Sequence, residues 1–235
     1  MIFQRERMED LGEAHNFRVK MAQYRCSEAQ ARKLAREDTF RRVCVFGLGT
    51  TGMFCADLIR QKYPEATIVF VGRSEADSPK VSFALKQAKA SYVKNDFDSP
   101  EALADAIREA LGGTATVFIG ASGTDIDYDI AFRCGVLGCN GIYNSFSLGP
   151  TVRFDTMPFG FKNHLIFGSI NFRQDHMEEA IRILEHSRYD EIVDLIEKED
   201  FIADPMDAYC SRIYAKGAPL KTAVIWNEKY IDVNR

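Results

Sequence analysis

The sequence predicts an α/β protein centred on a doubly wound parallel sheet of about six strands, with a helical extension in front of it. Three observations carry that expectation. Strand-length apolar runs alternate with helix-length segments from residue 41 onward, the first run enters a G-x-G-x-x-G turn, and residues 1–40 hold no proline and one glycine.

The extension, 1–40, is rich in Arg, Glu, Lys and Ala and reads as one or two helices. Ser27-Glu28-Ala29-Gln30 has the form of a capping box, so a helix starts there and runs to about Asp38. Met21, Tyr24 and Leu34 form only a modest apolar stripe, which suits docking on the sheet or on another subunit rather than building a core. Acidic residues interleaved through it argue against a basic arm for RNA.

The sheet domain, 41–235, opens with strand Val43–Phe46 and a helix from about Thr50 to Lys62. Between them lie Gly47-Leu48-Gly49-Thr50-Thr51-Gly52, a dinucleotide fingerprint in the strand–turn–helix context that makes it meaningful. Gly47 permits the tight turn, Gly49 lets backbone approach a pyrophosphate, Gly52 lets helix pack on strand, and the first helical amides attract phosphate. Such a sheet is of Rossmann type. A second strand, Thr67–Val71, ends at Gly72-Arg73-Ser74, where an NAD-selective site would carry an acid for the ribose hydroxyls. Arg73 there favours a 2′-phosphate, hence NADP over NAD, although an arginine at that place could also stack on adenine or face solvent.

Ser78-Pro79-Lys80 opens a helix to about Ala88, Ala90–Val93 is a third strand, and Ser99-Pro100-Glu101 starts a helix that Gly112-Gly113 ends. Strand Ala115–Ile119 leaves through Gly120-Ala121-Ser122-Gly123-Thr124, a loop at the carboxyl end of a strand, where open sheets bind ligands. A helix over 127–134 leads to strand Asn140–Tyr143, with Asn144-Ser145 at its exit. Phe146 to Asn163 reads as a long irregular connection, and strand His164–Phe167 follows, leaving through Gly168-Ser169-Ile170-Asn171. Helices over 174–186, 189–197 and 205–215 and a strand over 221–226 complete the chain.

With 235 residues, 46% hydrophobic, the chain can bury a full core, and a formal charge of −4 gives no electrostatic case for nucleic acid. It has no 18-residue apolar run and no signal-peptide pattern at residue 1, so a cytoplasmic protein is expected. None of the six cysteines lies in a C-x-x-C pair, so they read as free, mostly buried thiols. His176 and Glu179 share a helical face, but no third ligand is near, so they read as surface residues and no metal site is expected.

The glycine turn, the Val71-Gly72-Arg73-Ser74 exit, Ala121-Ser122-Gly123 and Leu165-Ile166-Phe167-Gly168-Ser169-Ile170-Asn171 resemble the nucleotide-binding half of medium-chain dehydrogenases, most closely the archaeal-type glucose dehydrogenases, over about 41–226. The resemblance implies that Leu48, Thr50 and Thr51 contact the pyrophosphate and that Arg73 and Ser74 contact the adenosine ribose or its phosphate. It places Ala121, Ser122, Asn144, Ser145, Ser169 and Asn171 at the nicotinamide end. It also implies a homodimer formed through the loop 154–161 and the strand at 164–167, against the alternative that the loop folds over its own sheet. The GroES-like domain that supplies catalytic zinc in that family has no counterpart in 1–40, and no tyrosine is followed by Lys four residues on, so the catalytic residues are unknown. Three readings stand: an NAD(P)-dependent oxidoreductase or a subunit of one, its catalytic groups supplied by a separate chain carrying a catalytic domain or by residues that the sequence does not identify; a non-catalytic NADP(H)-binding sensor or scaffold; and a fragment of a longer zinc-dependent dehydrogenase. The substrate is not legible.

Overall fold

The structure is a computed structural model that describes residues 1–146, 155–168, 171–185, 193–197, 202–208 and 221–225. Its centre is a six-stranded sheet of order β3-β2-β1-β4-β5-β6. The strands are β1 (Arg42–Phe46), β2 (Thr67–Gly72), β3 (Ser91–Lys94), β4 (Ala115–Gly120), β5 (Leu137–Ser145) and β6 (Leu165–Phe167). Every pair is parallel. The order reverses between β1 and β4, so the sheet is doubly wound with its switch point there.

The helices between strands are α3 (Thr50–Lys62), α4 (Pro79–Ala88) and α5 (Pro100–Leu111), then α6 (Ile126–Tyr128), which widens into a π-helical turn over Asp129–Arg133. Ser78 and Ser99 cap α4 and α5 by accepting from Val81 N and Ala102 N at 3.4 and 3.1 Å, and Gly112 ends α5 at φ 65°. Period-2 alternation divides the buried strand residues. Val43, Val45, Ile68, Phe70, Val117, Ile119 and Ile142 share one core with α3 and α4. Cys44, Phe46, Val69, Val71, Phe118 and Tyr143 share the other with α5 and the helix after β4. Rings stack across this second face, Phe46 on Phe118 at 5.9 Å and Phe118 on Tyr143 at 5.5 Å between centroids.

The extension is a helical hairpin, α1 (Ile2–Tyr24) and α2 (Glu28–Thr39), and Ser27 caps α2 by accepting from Gln30 N at 3.4 Å. It packs on its own sheet, but not through the stripe expected from sequence: Tyr24 is 53% exposed, while Ile2, Met8, Ala31, Ala35 and Phe40 are buried. The two helices approach each other closely, since a Cβ on Gly12 would lie 2.1 Å from Thr39 Oγ1. Met8 and Phe40 join the first core.

Three other expectations change. Residues 193–197 are a strand, β7, rather than helix, because they pair in parallel with β8 (Lys221–Ile225) in a separate two-stranded sheet; tertiary pairing overrides a helical apolar period. The helix expected from residue 205 is present over Pro205–Ala208, as α9, and its expected remainder to 215 lies outside the described residues. The connection after β5 carries a short helix, α7 (Thr156–Phe161), capped by Asp155, which accepts from Met157 N at 3.0 Å. His176 is buried rather than at the surface: it stands on α8 (Gln174–Glu185), with Nε2 3.0 Å from Glu6 Oε2 of α1 and Nδ1 accepting from Arg173 N at 3.1 Å. Only the packing of α1 against α8 could reveal that. Among the described residues no helix is long and apolar enough to cross a membrane.

Candidate functional site

The strand exits meet at one edge of the sheet because parallel pairing aligns their carboxyl ends. Gly47 N donates to Val71 O at 2.8 Å, Ala121 N to Phe46 O at 2.8 Å and Phe146 N to Gly120 O at 3.1 Å, tying the exits of β2, β1, β4 and β5 in sequence. Glycine makes this close approach possible. At Gly47 φ is +119°, and a Cβ would stand 2.5 Å from the Ala121 carbonyl carbon and 2.7 Å from Ser122 N. At Gly52 a Cβ would stand 2.2 Å from Gly47 O, so α3 lies against the turn.

Gly49 differs: a Cβ there would meet nothing within 4 Å. Its side faces open space at the start of α3, whose N-terminus has no side-chain cap and no acid in its first turn. The N-cap, being glycine, supplies no side-chain acceptor to the first turn of α3, whose amides point toward that space and can donate to an anion. Leu48 is buried in the first core, so only its backbone can serve a ligand, while Thr50 and Thr51 are partly exposed.

Beyond β2, Arg73 is exposed and forms no hydrogen bond or ion pair among the described residues, whereas the neighbouring Lys94 is held by Glu75 at 2.8 Å and Asp96 at 3.1 Å. Ser74 is fixed through its carbonyl, which accepts from Tyr92 Oη at 2.8 Å. Asn144 and Ser145 are the last residues of β5 rather than a loop, because β5 begins at Leu137 and continues past the expected end. Asn144 is fully buried, and neither its Oδ1 nor its Nδ2 has a hydrogen-bond partner among the described residues. An orphaned buried amide costs free energy until a polar group meets it, which is the condition of a ligand site. Asn171 is exposed after the β6 exit, and Ser169 lies outside the described residues.

One participant was not singled out from sequence. Asp127, in α6, is 1% exposed and accepts from Ser122 N at 3.3 Å, from Ser122 Oγ in a short bond, and from Thr124 Oγ1 at 3.4 Å. Burial pushes its carboxyl up to about 6, against the opposing hydrogen bonds from Ser122 and Thr124. Beside it, Tyr128 Oη lies 2.9 Å from Ser145 Oγ, and burial drives the Tyr143 hydroxyl far above its ordinary value. An aspartate preceded by Ser122 and Thr124 in a strand-exit loop was the available sequence signal. Its burial depends on the sheet.

Because the folded carboxyl titrates higher than the unfolded one, the folded state holds the extra proton. Its contribution to stability is complete below the unfolded value near 4 and is lost as pH rises through about 6. Asp127→Asn is therefore expected to leave stability little changed at pH 4 and to raise it above pH 6 by on the order of 2 kcal/mol. Thermal melts of both proteins from pH 4 to pH 8 check this, and parallel curves would refute it.

Among the described residues no three His, Cys, Asp or Glu side chains come together to hold a metal. The buried Cys44 and Cys55 are poor thiolate donors, since burial raises both thiols, Cys55 to about 12.

No protein-family model matches the chain, and neither does any curated protein. Solved structures do. The chain is similar to 2R,3R-butanediol dehydrogenase from Bacillus subtilis, at 18% identity and TM-score 0.62, over 80% of this chain and 51% of that one. It is similar to Haloferax mediterranei glucose dehydrogenase, solved with NADP, Zn and gluconolactone, at 15% identity and TM-score 0.61, over 86% of this chain and 61% of that one. S. aureus TarJ, solved with NADPH, is similar at 15% identity and TM-score 0.60, over 80% and 56%. The protein has the fold of medium-chain alcohol and glucose dehydrogenases over about half to three-fifths of their length.

Proposed function

We propose that this chain binds a nicotinamide dinucleotide, NADP(H) in preference to NAD(H), and acts as an oxidoreductase or an oxidoreductase subunit. The observation that carries the reading is the contrast within the turn: Gly47 and Gly52 are glycines because backbone fills the Cβ position, while Gly49 is a glycine beside open space. A structural turn has no use for that third glycine; a pyrophosphate does.

In this reading the amides at the start of α3, with Leu48 N, Thr50 and Thr51, hold the pyrophosphate. Arg73 and Ser74 take the adenosine ribose and its 2′-phosphate. Ala121, Ser122, Ser145, Ser169, Asn171 and the orphaned amide of Asn144 receive the nicotinamide end, whose carboxamide is complementary to a buried asparagine. When bound, the nicotinamide supplies a hydride donor or acceptor. NADP(H) bound to relatives of the same fold supports the assignment.

Calorimetric titration with NADPH and with NADH tests it. NADPH is expected to bind the more tightly, and Arg73→Glu to weaken NADPH at least tenfold while changing NADH by less than threefold, roughly the effect of losing one charge pair with phosphate. Failure of both nucleotides to bind would overturn the reading, and equal weakening of both would remove the phosphate role of Arg73.

We further propose a homodimer through the β6 edge of the sheet, where Ile166 is 36% and Phe161 of α7 is 85% exposed. Light scattering at micromolar concentration is expected to give twice the chain mass, and Phe161→Glu to give the monomer. A monomeric wild type would refute it.

A further inference from the structure

Three carboxylates are buried among the described residues: Glu9, Asp57 and Asp127. Glu9 is neutralised by Lys62 Nζ at 2.6 Å, and Asp57 accepts from the side-chain amides of Gln61 at 3.1 Å and Gln87 at 3.3 Å. Amide donors hold a carboxylate but do not relay protons. Asp127 has different company, because its side-chain partners are the hydroxyls of Ser122 and Thr124, which both donate and accept. These two hydroxyls also lie 2.7 Å from each other, and both residues are exposed, at the exit of β4. That exit abuts the glycine turn, since Ser122 N would touch a Cβ on Gly47.

From this arrangement we propose that Asp127 is the proton acceptor and donor of an alcohol–carbonyl interconversion at this crevice, acting through the Ser122 hydroxyl. The inference rests on the nicotinamide reading above. In the oxidative direction the substrate O–H proton passes to Ser122 Oγ as Ser122 gives its own proton to the Asp127 carboxylate. A bound oxidised nicotinamide dinucleotide would supply the acceptor for the hydrogen that leaves the substrate carbon with both electrons of its C–H bond, as the C–O bond becomes a carbonyl. In the reductive direction the neutral Asp127 returns the proton by the same route.

Two features fit this role better than that of a loop staple. An asparagine could accept from Ser122 N through its one oxygen and donate its amide to the Ser122 hydroxyl without the cost of a buried charge, yet the position holds a carboxyl with no Lys or Arg paired to it among the described residues. The end of β4 is also shaped to admit it: a Cβ on Gly120 would stand 2.2 Å from Tyr143 Oη and 3.1 Å from Asp127 Oδ2. The other ionisable groups facing Asp127 are Asp125 in the same loop, Cys44 on β1 and Tyr143 on β5, none of them cationic. With these neighbours the carboxyl changes state near pH 6, so both of its forms are accessible around neutrality.

The test uses the full chain and two probes, NADP+ and NADPH. They share the 2′-phosphate and differ in the charge of the nicotinamide ring, so their difference isolates groups near that ring. If Asp127 stands there, the positive ring favours its carboxylate. The affinity ratio of NADP+ to NADPH then rises by up to about tenfold from pH 5 to pH 7.5, and calorimetry at pH 6 in buffers of different ionisation enthalpy shows up to about half a proton more released with NADP+. Asp127→Asn is expected to flatten both. The Asp127 carboxyl carbon resonance provides a readout that needs no variant: its midpoint moves to lower pH with NADP+ and stays with NADPH. A pH-independent ratio with both nucleotides bound, or a rise that persists in Asp127→Asn, overturns the relay and leaves the nucleotide site standing. Failure of both nucleotides to bind overturns the relay together with the reading beneath it.

Discussion

Gly49→Ala is expected to melt within a degree or two of the wild type and to lose nucleotide binding by a hundredfold or more, whereas Gly47→Ala is expected to destabilise the chain. The two substitutions add the same methyl group two residues apart. At Gly49 φ is −102°, a value any residue adopts, and nothing lies within 4 Å of the added atom, so the unliganded fold has no reason to change. The atom instead fills the space where backbone must approach a pyrophosphate. At Gly47 the methyl group meets the Ala121 carbonyl carbon at 2.5 Å with φ at +119°. Backbone strain and overpacking each cost about 1–3 kcal/mol, a large part of the stability of an ordinary domain. Thermal melts paired with NADPH titrations separate the cases. A Gly49→Ala protein that binds NADPH like the wild type would mean that the open space beside the turn is not a phosphate site.

Deleting α1, residues 1–25, is expected to abolish the cooperative thermal transition or to lower its midpoint by more than ten degrees. The helix has mixed polarity, yet it buries Ile2 and Met8, each worth about 1.5–3 kcal/mol when buried, and Met8 joins the core on one face of the sheet. Its loss would also expose the bed of Phe40 and leave Lys62 without Glu9, and His176 and Arg173 of the α8 region without Glu6. Scanning calorimetry and amide exchange of the truncated chain check this. A wild-type transition in the truncated protein would show that the first core closes without the extension.

The parts of the fold that local chemistry dictates were legible in order. The serine caps of α2, α4 and α5, the glycine that ends α5 and the turn at Gly47 each act within a few residues, so spacing alone places them. Strands β1, β2 and β4 were legible because a strand buried on both faces is a continuous apolar run. Legibility failed where a distant partner decides. Residues 193–197 carry apolar positions at helical spacing, and only pairing with 221–225 makes them a strand. Tyr24 belongs to a plausible apolar stripe, but the approach of α1 to α2 is set by Gly12 against Thr39, which buries alanines instead.

The same division holds at the candidate site. Sequence by itself determined the strand–turn–helix start, the basic residue after β2 and the small polar exits of β4 and β5, because each is a run of neighbours with a fixed backbone consequence. Tertiary structure alone decided three things: that Gly49 faces open space, that Asn144 is sealed without a partner, and that Asp127 is buried against hydroxyls rather than a cation. Each depends on what adjoining strands and helices bring to within a few ångströms. Burial, which raises the Asp127 carboxyl and orphans the Asn144 amide, is a property of the assembled sheet and not of any segment in it.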